Sequence, residues 1–165
     1  MEKIDENKFV DLVDKHQNLV HKICKLYTNS EAEHKDLFQE ITIQLWKAYP
    51  KFRGDSKFST WMYRVGINTA ITIYRKSKRR IRSYNIDNVS YKIPEDNPYN
   101  DQEDQQLEAI YEAVKALNDI EKAIVFLYLE DKSYKEISET IGLTEVNARV
   151  KMNRIKNKLK KQLNP

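Results

Sequence analysis

Apolar side chains recur at steps of three and four along almost the whole chain, and that rhythm breaks only once. Phe9, Leu12, Val13, Leu19, Val20, Ile23 and Leu26 carry it over residues 5–29. Leu37, Ile41, Leu45 and Ala48 carry it next; Leu107, Ile110, Tyr111, Val114 and Leu117 resume it after the break. This spacing gathers apolar groups on one face of an α-helix. No useful run alternates with a period of two, and 3 glycines and 4 prolines in 165 residues leave little for a hairpin-rich sheet. The break covers residues 83–104, rich in Asn, Asp and Ser and holding Pro94 and Pro98. About twenty structureless residues inside one compact domain would be unusual. The expected fold is therefore all-α: two small helical domains, residues 1–82 and 105–165, joined by a flexible acidic linker over 83–104. Each domain can bury only a small core, so a partner can add to its stability.

The punctuation of the helices agrees with this reading. Ser30 and Glu33 form a capping-box pattern that opens a second helix, and Pro50 stops it. Residues 52–57 read as a loop in which Gly54 permits an unusual turn. A long helix follows from about Ser59 to Arg80. Asn118 or Asp119 caps a helix holding Ile124, Leu127 and Tyr128. Ser133 with Glu136 repeats the capping box ahead of Ile137 and Ile141, and Gly142 fits the left-handed residue that ends a helix. Thr144 then caps a last helix. Ala148, Met152, Ile155, Leu159 and Leu163 would face inward on it, and Val146, Arg149, Val150, Asn153 and Arg154 outward.

Charge is blocked rather than mixed. The net charge is only +4. Residues 75–82 hold six cations and no acid, and residues 147–161 hold seven and no acid. Residues 87–104 hold six acids against Lys92 alone. Such blocks are the electrostatic footprint of a nucleic-acid binder. Cys24 is the only cysteine and sits in an apolar run, so a buried structural thiol in a reducing cytoplasm is expected. No apolar stretch is long enough for a bilayer, and the charged first residues lack a signal-peptide core. His16, His21 and His34 have no metal-ligand spacing, and no phosphate loop, nucleophile–base pair or carboxylate pair stands out. No metal, cofactor, small-molecule substrate, membrane insertion or enzymatic activity is expected.

Two segments carry the binding chemistry. The last two helices read as a helix-turn-helix, whose second helix meets base edges in the major groove. Arg149, Asn153 and Arg154 can read guanine or adenine there, while Lys151, Lys156 and Lys158 would meet phosphates. In Lys57-Phe58-Ser59-Thr60-Trp61-Met62-Tyr63-Arg64-Val65, aromatics beside cations suit unstacked bases. Read from the residues alone, however, Phe58, Trp61 and Val65 at helical spacing favour a core face.

Taken together, these residues resemble the extracytoplasmic-function group of the sigma-70 family of bacterial sigma factors. Asp36-Leu37-Phe38-Gln39-Glu40 with Leu45-Trp46 is similar to the family's polymerase-binding helix. The segment Lys57–Val65 followed by Asn68 resembles its promoter-melting segment, and Ser133–Ile137 with Thr144 and Arg149–Arg154 its helix-turn-helix. The match covers nearly all of the chain except the linker. The resemblance implies that Asp36, Gln39, Glu40 and Trp46 engage core RNA polymerase. It implies that Arg53, Asp55, Ser56, Lys57, Trp61, Asn68 and Arg75 serve the minus-ten element. It assigns Thr144, Arg149, Val150, Lys151, Asn153 and Arg154 to the minus-thirty-five element. Promoter DNA, core polymerase and a separate anti-sigma factor are the implied partners, with the acidic linker threading toward the RNA exit path.

This chain departs from the family pattern in three places. Leu117-Asn118 stands where Leu-Pro is usual, which Asn tolerates as a good cap. Asn147-Ala148 replaces Thr-Val in the recognition helix, which bears on the preferred upstream sequence. Arg64-Val65 stands where housekeeping members carry a tryptophan pair, implying weaker strand opening and stricter promoter choice. A stand-alone helix-turn-helix regulator and an RNA-binding adaptor are the competing readings. A plain regulator needs neither the acidic helix nor the aromatic segment of residues 36–68, and an RNA adaptor needs no recognition helix.

Overall fold

The structure, a computed structural model, describes the backbone of residues 5–84 and 102–164, with side chains over 5–80 and 105–164. Among these residues every regular element is helical. The order is α1 (Glu6–Tyr27), α2 (Glu31–Ala48), a 3-10 turn (Tyr49–Lys51), α3 (Phe58–Tyr84), α4 (Gln102–Lys115), α5 (Asp119–Leu129), α6 (Tyr134–Ile141) and α7 (Glu145–Leu163). The chain divides into two compact units, Met1–Ile93 and Pro94–Pro165. Residues 85–101, most of the expected linker with its acids from Asp87 to Asp101, lie outside the described residues.

In the first unit α1, α2 and α3 pack on one another. Asp5 caps α1 by accepting from the Lys8 N–H at 3.2 Å. Ser30 accepts from the Glu33 N–H at 3.2 Å, but Glu33 reaches back to the N–H of Asn29, one residue before the cap, at 2.9 Å. Pro50 does not simply stop α2; it lies inside the 3-10 turn that follows. Val20, Ile23 and Cys24 of α1, Leu37, Ile41 and Leu45 of α2, and Met62, Ile67 and Ala70 of α3 fill the core. Burial pushes the Cys24 thiol up to about 12, against a smaller downward pull from a backbone hydrogen bond. At that value it is inert near neutral pH.

Gly66 is where the three helices meet. A Cβ there would stand 2.9 Å from Ile23 Cδ1 and 3.6 Å from Ile41 Cγ2. Periodicity could not reveal this contact, because glycine carries no hydrophobic signal.

In the second unit α5 is central, buried from Glu121 through Leu127. Asn118, not Asp119, caps it, accepting from the Glu121 N–H at 2.8 Å. Asp131 ends that region with a φ of 59°, a left-handed conformation that aspartate tolerates. Ser133 and Glu136 form the complete capping box of α6. Gly142, at φ 84°, closes α6, and Thr144 caps α7 by accepting from the Asn147 N–H at 3.1 Å. Ala148, Met152 and Ile155 are buried as the pattern predicts. Leu163 is 41% exposed, and Leu107 and Ile110 of α4 are 55% and 38% exposed, so the apolar stripes outrun the core at the ends of α4 and α7.

His21 and His34 form a contact that the sequence hides. His21 Nδ1 lies 2.9 Å from His34 Nε2, and the His21 ring stacks on Phe38 at 4.4 Å. One nitrogen must donate and the other accept, which requires a neutral imidazole. Burial first, then the neighbouring His21, lowers the His34 pKa below its ordinary 6.5, against the opposing pull of Glu31.

Two outcomes follow from this packing. Gly66→Leu is expected to destabilise the first unit by about 1–3 kcal/mol through overpacking. Trp46 and Trp61 are the chain's 2 tryptophans and both belong to this unit, so urea unfolding followed by tryptophan fluorescence reports it selectively. An unchanged midpoint would mean that α1 and α2 separate from α3 without cost. His34 binds its proton less tightly in the folded than in the unfolded state. Its contribution to stability is therefore complete above the ordinary 6.5 and is lost as pH falls through the lowered folded value. Wild type should lose stability on acidification in that window, and His34→Gln should flatten the loss. Parallel pH profiles for the two proteins would show the contact to be energetically silent.

Candidate nucleic-acid interface

On α7 the outward face matches the pattern. Val146, Arg149, Val150, Asn153 and Arg154 are all exposed, Lys151 is half-buried, and Thr144 is exposed at the cap. The turn through Gly142 and the caps at Ser133 and Thr144 fix the start of both helices, which sets where α7 presents this face. No acid falls within residues 147–161, so α7 itself carries almost no acid to offset these cations. Glu145, in its first turn, is the exception. It accepts from Arg149 Nη2 at 3.3 Å, and the Arg149 guanidinium lies 4.9 Å over the ring of Tyr134.

The lysines further along α7 serve this unit's own packing. Lys158 Nζ lies 2.9 Å from Glu121 Oε2, whose side chain is only 12% exposed. Lys156 Nζ lies 4.7 Å over the Tyr128 ring and 3.3 Å from its hydroxyl. The expectation that Lys156 and Lys158 reach for phosphates is corrected to this extent. Removing Lys158 strands a nearly buried carboxylate, so its loss weakens the fold as well as any contact with DNA.

In the first unit, Arg53, Asp55, Ser56 and Lys57 are exposed on a loop where Gly54 has a φ of 79°. The predicted core face of α3 is displaced. Phe58, Trp61 and Val65 are only half-buried, and the core is built by Met62, Tyr63, Gly66 and Ile67 instead. Trp61 is half-buried against Phe52 at 5.1 Å, Phe58 at 5.4 Å and Tyr49 at 6.2 Å. Three neighbouring rings hold the Trp61 ring in one orientation. Asn68 and Arg75 are exposed one and two heptads further on, so they share a face with Trp61. Arg64 and Thr72, both exposed, continue that stripe. Arg64 belongs to the aromatic and cationic segment of the sequence but not to its expected minus-ten residues, although it stands three residues from Trp61.

The acidic helix behaves as its period requires. Leu37, Ile41 and Leu45 face inward, and Asp36, Gln39 and Trp46 are exposed. Glu40 is half-buried and accepts from Gln44 Nε2 at 3.0 Å. Ile43, 39% exposed, joins Trp46 on the outer face as an apolar residue that the sequence reading missed. Trp46 packs edge-on to Phe9 at 5.0 Å. Asp36 and Glu40 also line a cleft of about 760 Å³ shared with Lys76, Lys78 and Arg80 of α3. The basic end of α3 is thus brought beside the acidic helix, a juxtaposition invisible along the chain.

Comparison with known proteins places both units. The family models for sigma-70 region 2 and sigma-70 region 4 match residues 12–80 and 107–159. The ECF RNA polymerase sigma-E factor of Haemophilus influenzae is 29% identical over 171 residues, covering 98% of this chain and 90% of that protein. The ECF RNA polymerase sigma-E factor of Escherichia coli K12 is 30% identical over 148 residues, covering 84% of this chain and 77% of that protein. Among solved structures, the sigma factor RpoE of Bartonella quintana, in complex with the anti-sigma factor NepR, superposes with a TM-score of 0.79 at 15% identity. That alignment covers 94% of this chain and 96% of that one. CnrH, in complex with the cytosolic domain of CnrY, gives a TM-score of 0.68 at 17% identity over 97% of this chain and 90% of that one. At such identities the structural likeness is one of fold, but the sequence matches go further: this chain belongs to the extracytoplasmic-function group of the sigma-70 family of RNA polymerase sigma factors.

Proposed function

We propose that this chain directs core RNA polymerase to promoters by reading two DNA elements with its two units. As a sigma factor it recognises promoters in transcription initiation and is not itself an enzyme. The observation that carries the two-site reading is the pairing, in one chain, of a capped helix-turn-helix with a three-helix unit whose exposed polar and cationic stripe runs on from the half-buried Trp61. Residues 1–82 form the polymerase- and minus-ten-binding domain, 83–104 the linker, and 105–165 the minus-thirty-five-binding domain. Asp36, Gln39, Glu40 and Trp46 bind polymerase. Arg53, Asp55, Ser56, Lys57, Trp61, Asn68 and Arg75 act at the minus-ten element. Thr144, Arg149, Val150, Lys151, Asn153 and Arg154 act at the minus-thirty-five element. The chain works in the cytoplasm. A separate anti-sigma factor restrains it, as one accompanies the Bartonella sigma factor of like fold. Among the described residues no helix is long and apolar enough to cross a membrane.

Two tests address this reading. The isolated protein should bind promoter DNA weakly, because each unit offers few contacts. Core polymerase should tighten binding by joining the two contacts into one tethered event. Filter binding or anisotropy at fixed salt measures both states; equal sequence-specific affinity with and without polymerase favours the plain regulator. Strand opening is the second test. A base leaving the stack costs a few kcal/mol, which stacking on Trp61 and contacts from the loop at residues 53–57 offset. Trp61→Ala should slow open-complex formation more than initial binding, read as permanganate reactivity of unpaired thymines. Exchanging residues 53–57 for another loop of equal length should change the preferred minus-ten base and leave polymerase binding intact. An unchanged preference makes that loop a mere connector.

A further inference from the structure

We infer that Tyr134 is a positioning residue for Arg149, and that a clamp spanning α6 and α7 sets how sharply this protein discriminates bases at its upstream element. The inference rests on the reading of Arg149 as a base contact and adds a residue that reading does not include. Tyr134 is the first residue of α6, directly after the Ser133 cap, and the complete capping box holds the backbone there. Its ring is half-buried. The Arg149 guanidinium carbon lies 4.9 Å above that ring, while Glu145, one turn earlier on α7, accepts from Nη2 at 3.3 Å. Tyr134 itself is backed by Tyr128, with ring centroids 6.2 Å apart. Tyr128 is in turn covered by Lys156, whose Nζ lies 4.7 Å over its ring. The series Lys156, Tyr128, Tyr134, Arg149 and Glu145 is thus continuous across α5, α6 and α7.

The physical consequence concerns Arg149. Free arginine side chains are among the most flexible, and reading guanine takes two parallel N–H bonds in one plane. On the exposed face of α7, where the Arg149 side chain is 59% accessible, the groove must otherwise impose that order at the moment of binding. A ring on one flat face and a carboxylate on one edge limit the rotamers beforehand. The opposite face and the remaining N–H groups stay available to a base. The attraction to the ring requires only the aromatic face, so the Tyr134 hydroxyl is dispensable for it. The effect falls on base discrimination, since phosphate contacts elsewhere on α7 position the protein whatever the sequence.

The test uses the full chain with core polymerase on promoters randomised across the upstream element, comparing base preference by run-off transcription. Arg149→Ala should relax preference at one base pair by about fivefold or more. Tyr134→Leu should relax preference at the same base pair by about two- to fivefold, and Tyr134→Phe should keep it. In the free protein, the Arg149 side-chain protons should be shifted upfield by the ring in wild type and Tyr134→Phe, and not in Tyr134→Leu. Circular dichroism confirms that each variant is folded. If Arg149→Ala leaves base preference unchanged, the reading of Arg149 as a base contact fails. If Arg149→Ala relaxes it and Tyr134→Leu does not, or weakens all promoters alike, positioning by Tyr134 is overturned and the ring is only packing. Sharper discrimination in Tyr134→Leu overturns it too, since the ring would then be holding Arg149 away from the base.

Discussion

A core only one side-chain layer thick governs both units. Among the described residues, with three α-helices in one unit and four in the other, no helix is sheltered on every side except α5, which the other helices of its unit surround. Each remaining helix gives one stripe to the interior and leaves the opposite stripe in water. Residues such as Ile23, Ile41, Leu45, Ile67, Ile124 and Ile155, essentially inaccessible, each contribute about 1.5–3 kcal/mol. Gly66 shows how tight the arrangement is, since the three helices of its unit can meet only where a side chain is missing. The opposite stripes are then available for binding, and in this chain the acidic, aromatic and basic faces all lie there.

Such thin cores leave the ends of the helices unusually important. Side-chain caps stand at Asp5, Ser30, Asn118, Ser133 and Thr144, each worth about 1 kcal/mol. Their directional effect exceeds that figure in consequence. A cap determines the residue at which a helix begins, and the helical period then determines which residues share its outer face. Ser133 and Thr144, with the left-handed Gly142 between them, set the phase of α6 and α7 together. Arg149, Asn153 and Arg154 point outward because of that phase.

Electrostatics divides the cations into two kinds that composition cannot separate. Arg154 is exposed and Lys151 half-buried on α7, whereas Lys158 neutralises Glu121 and Lys156 covers the Tyr128 ring. Likewise, of the acids of α2, Glu31, Glu33 and Asp36 are exposed and Glu40 half-buried, and Asp36 and Glu40 border the cleft that Lys76, Lys78 and Arg80 also line. The competing readings are resolved in the same terms. A plain regulator would leave the outer faces of α2 and α3 without use. An RNA adaptor would leave α7 so. The sigma-70 region 2 and region 4 matches account for both halves.

Period, caps and turn residues were legible along the chain because each is a local property, decided within four or five neighbours. They specified an all-α fold, the helix-turn-helix with its Gly142 turn, the inward Ala148, Met152 and Ile155, and the outward Arg149 to Arg154. Charge blocks and three motifs in order carried the family. What failed to show was whatever depends on contact between distant residues. Phe58, Trp61 and Val65 have helical spacing, but the core face of α3 is set by where α1 and α2 approach it, and that is at Gly66. The His21–His34 contact, the Lys158–Glu121 pair and the ring of Tyr134 beneath Arg149 join residues 13, 37 and 15 positions apart. No local period encodes such pairings; they exist only once the helices have packed, and packing decided which exposed cations hold the fold together and which face outward.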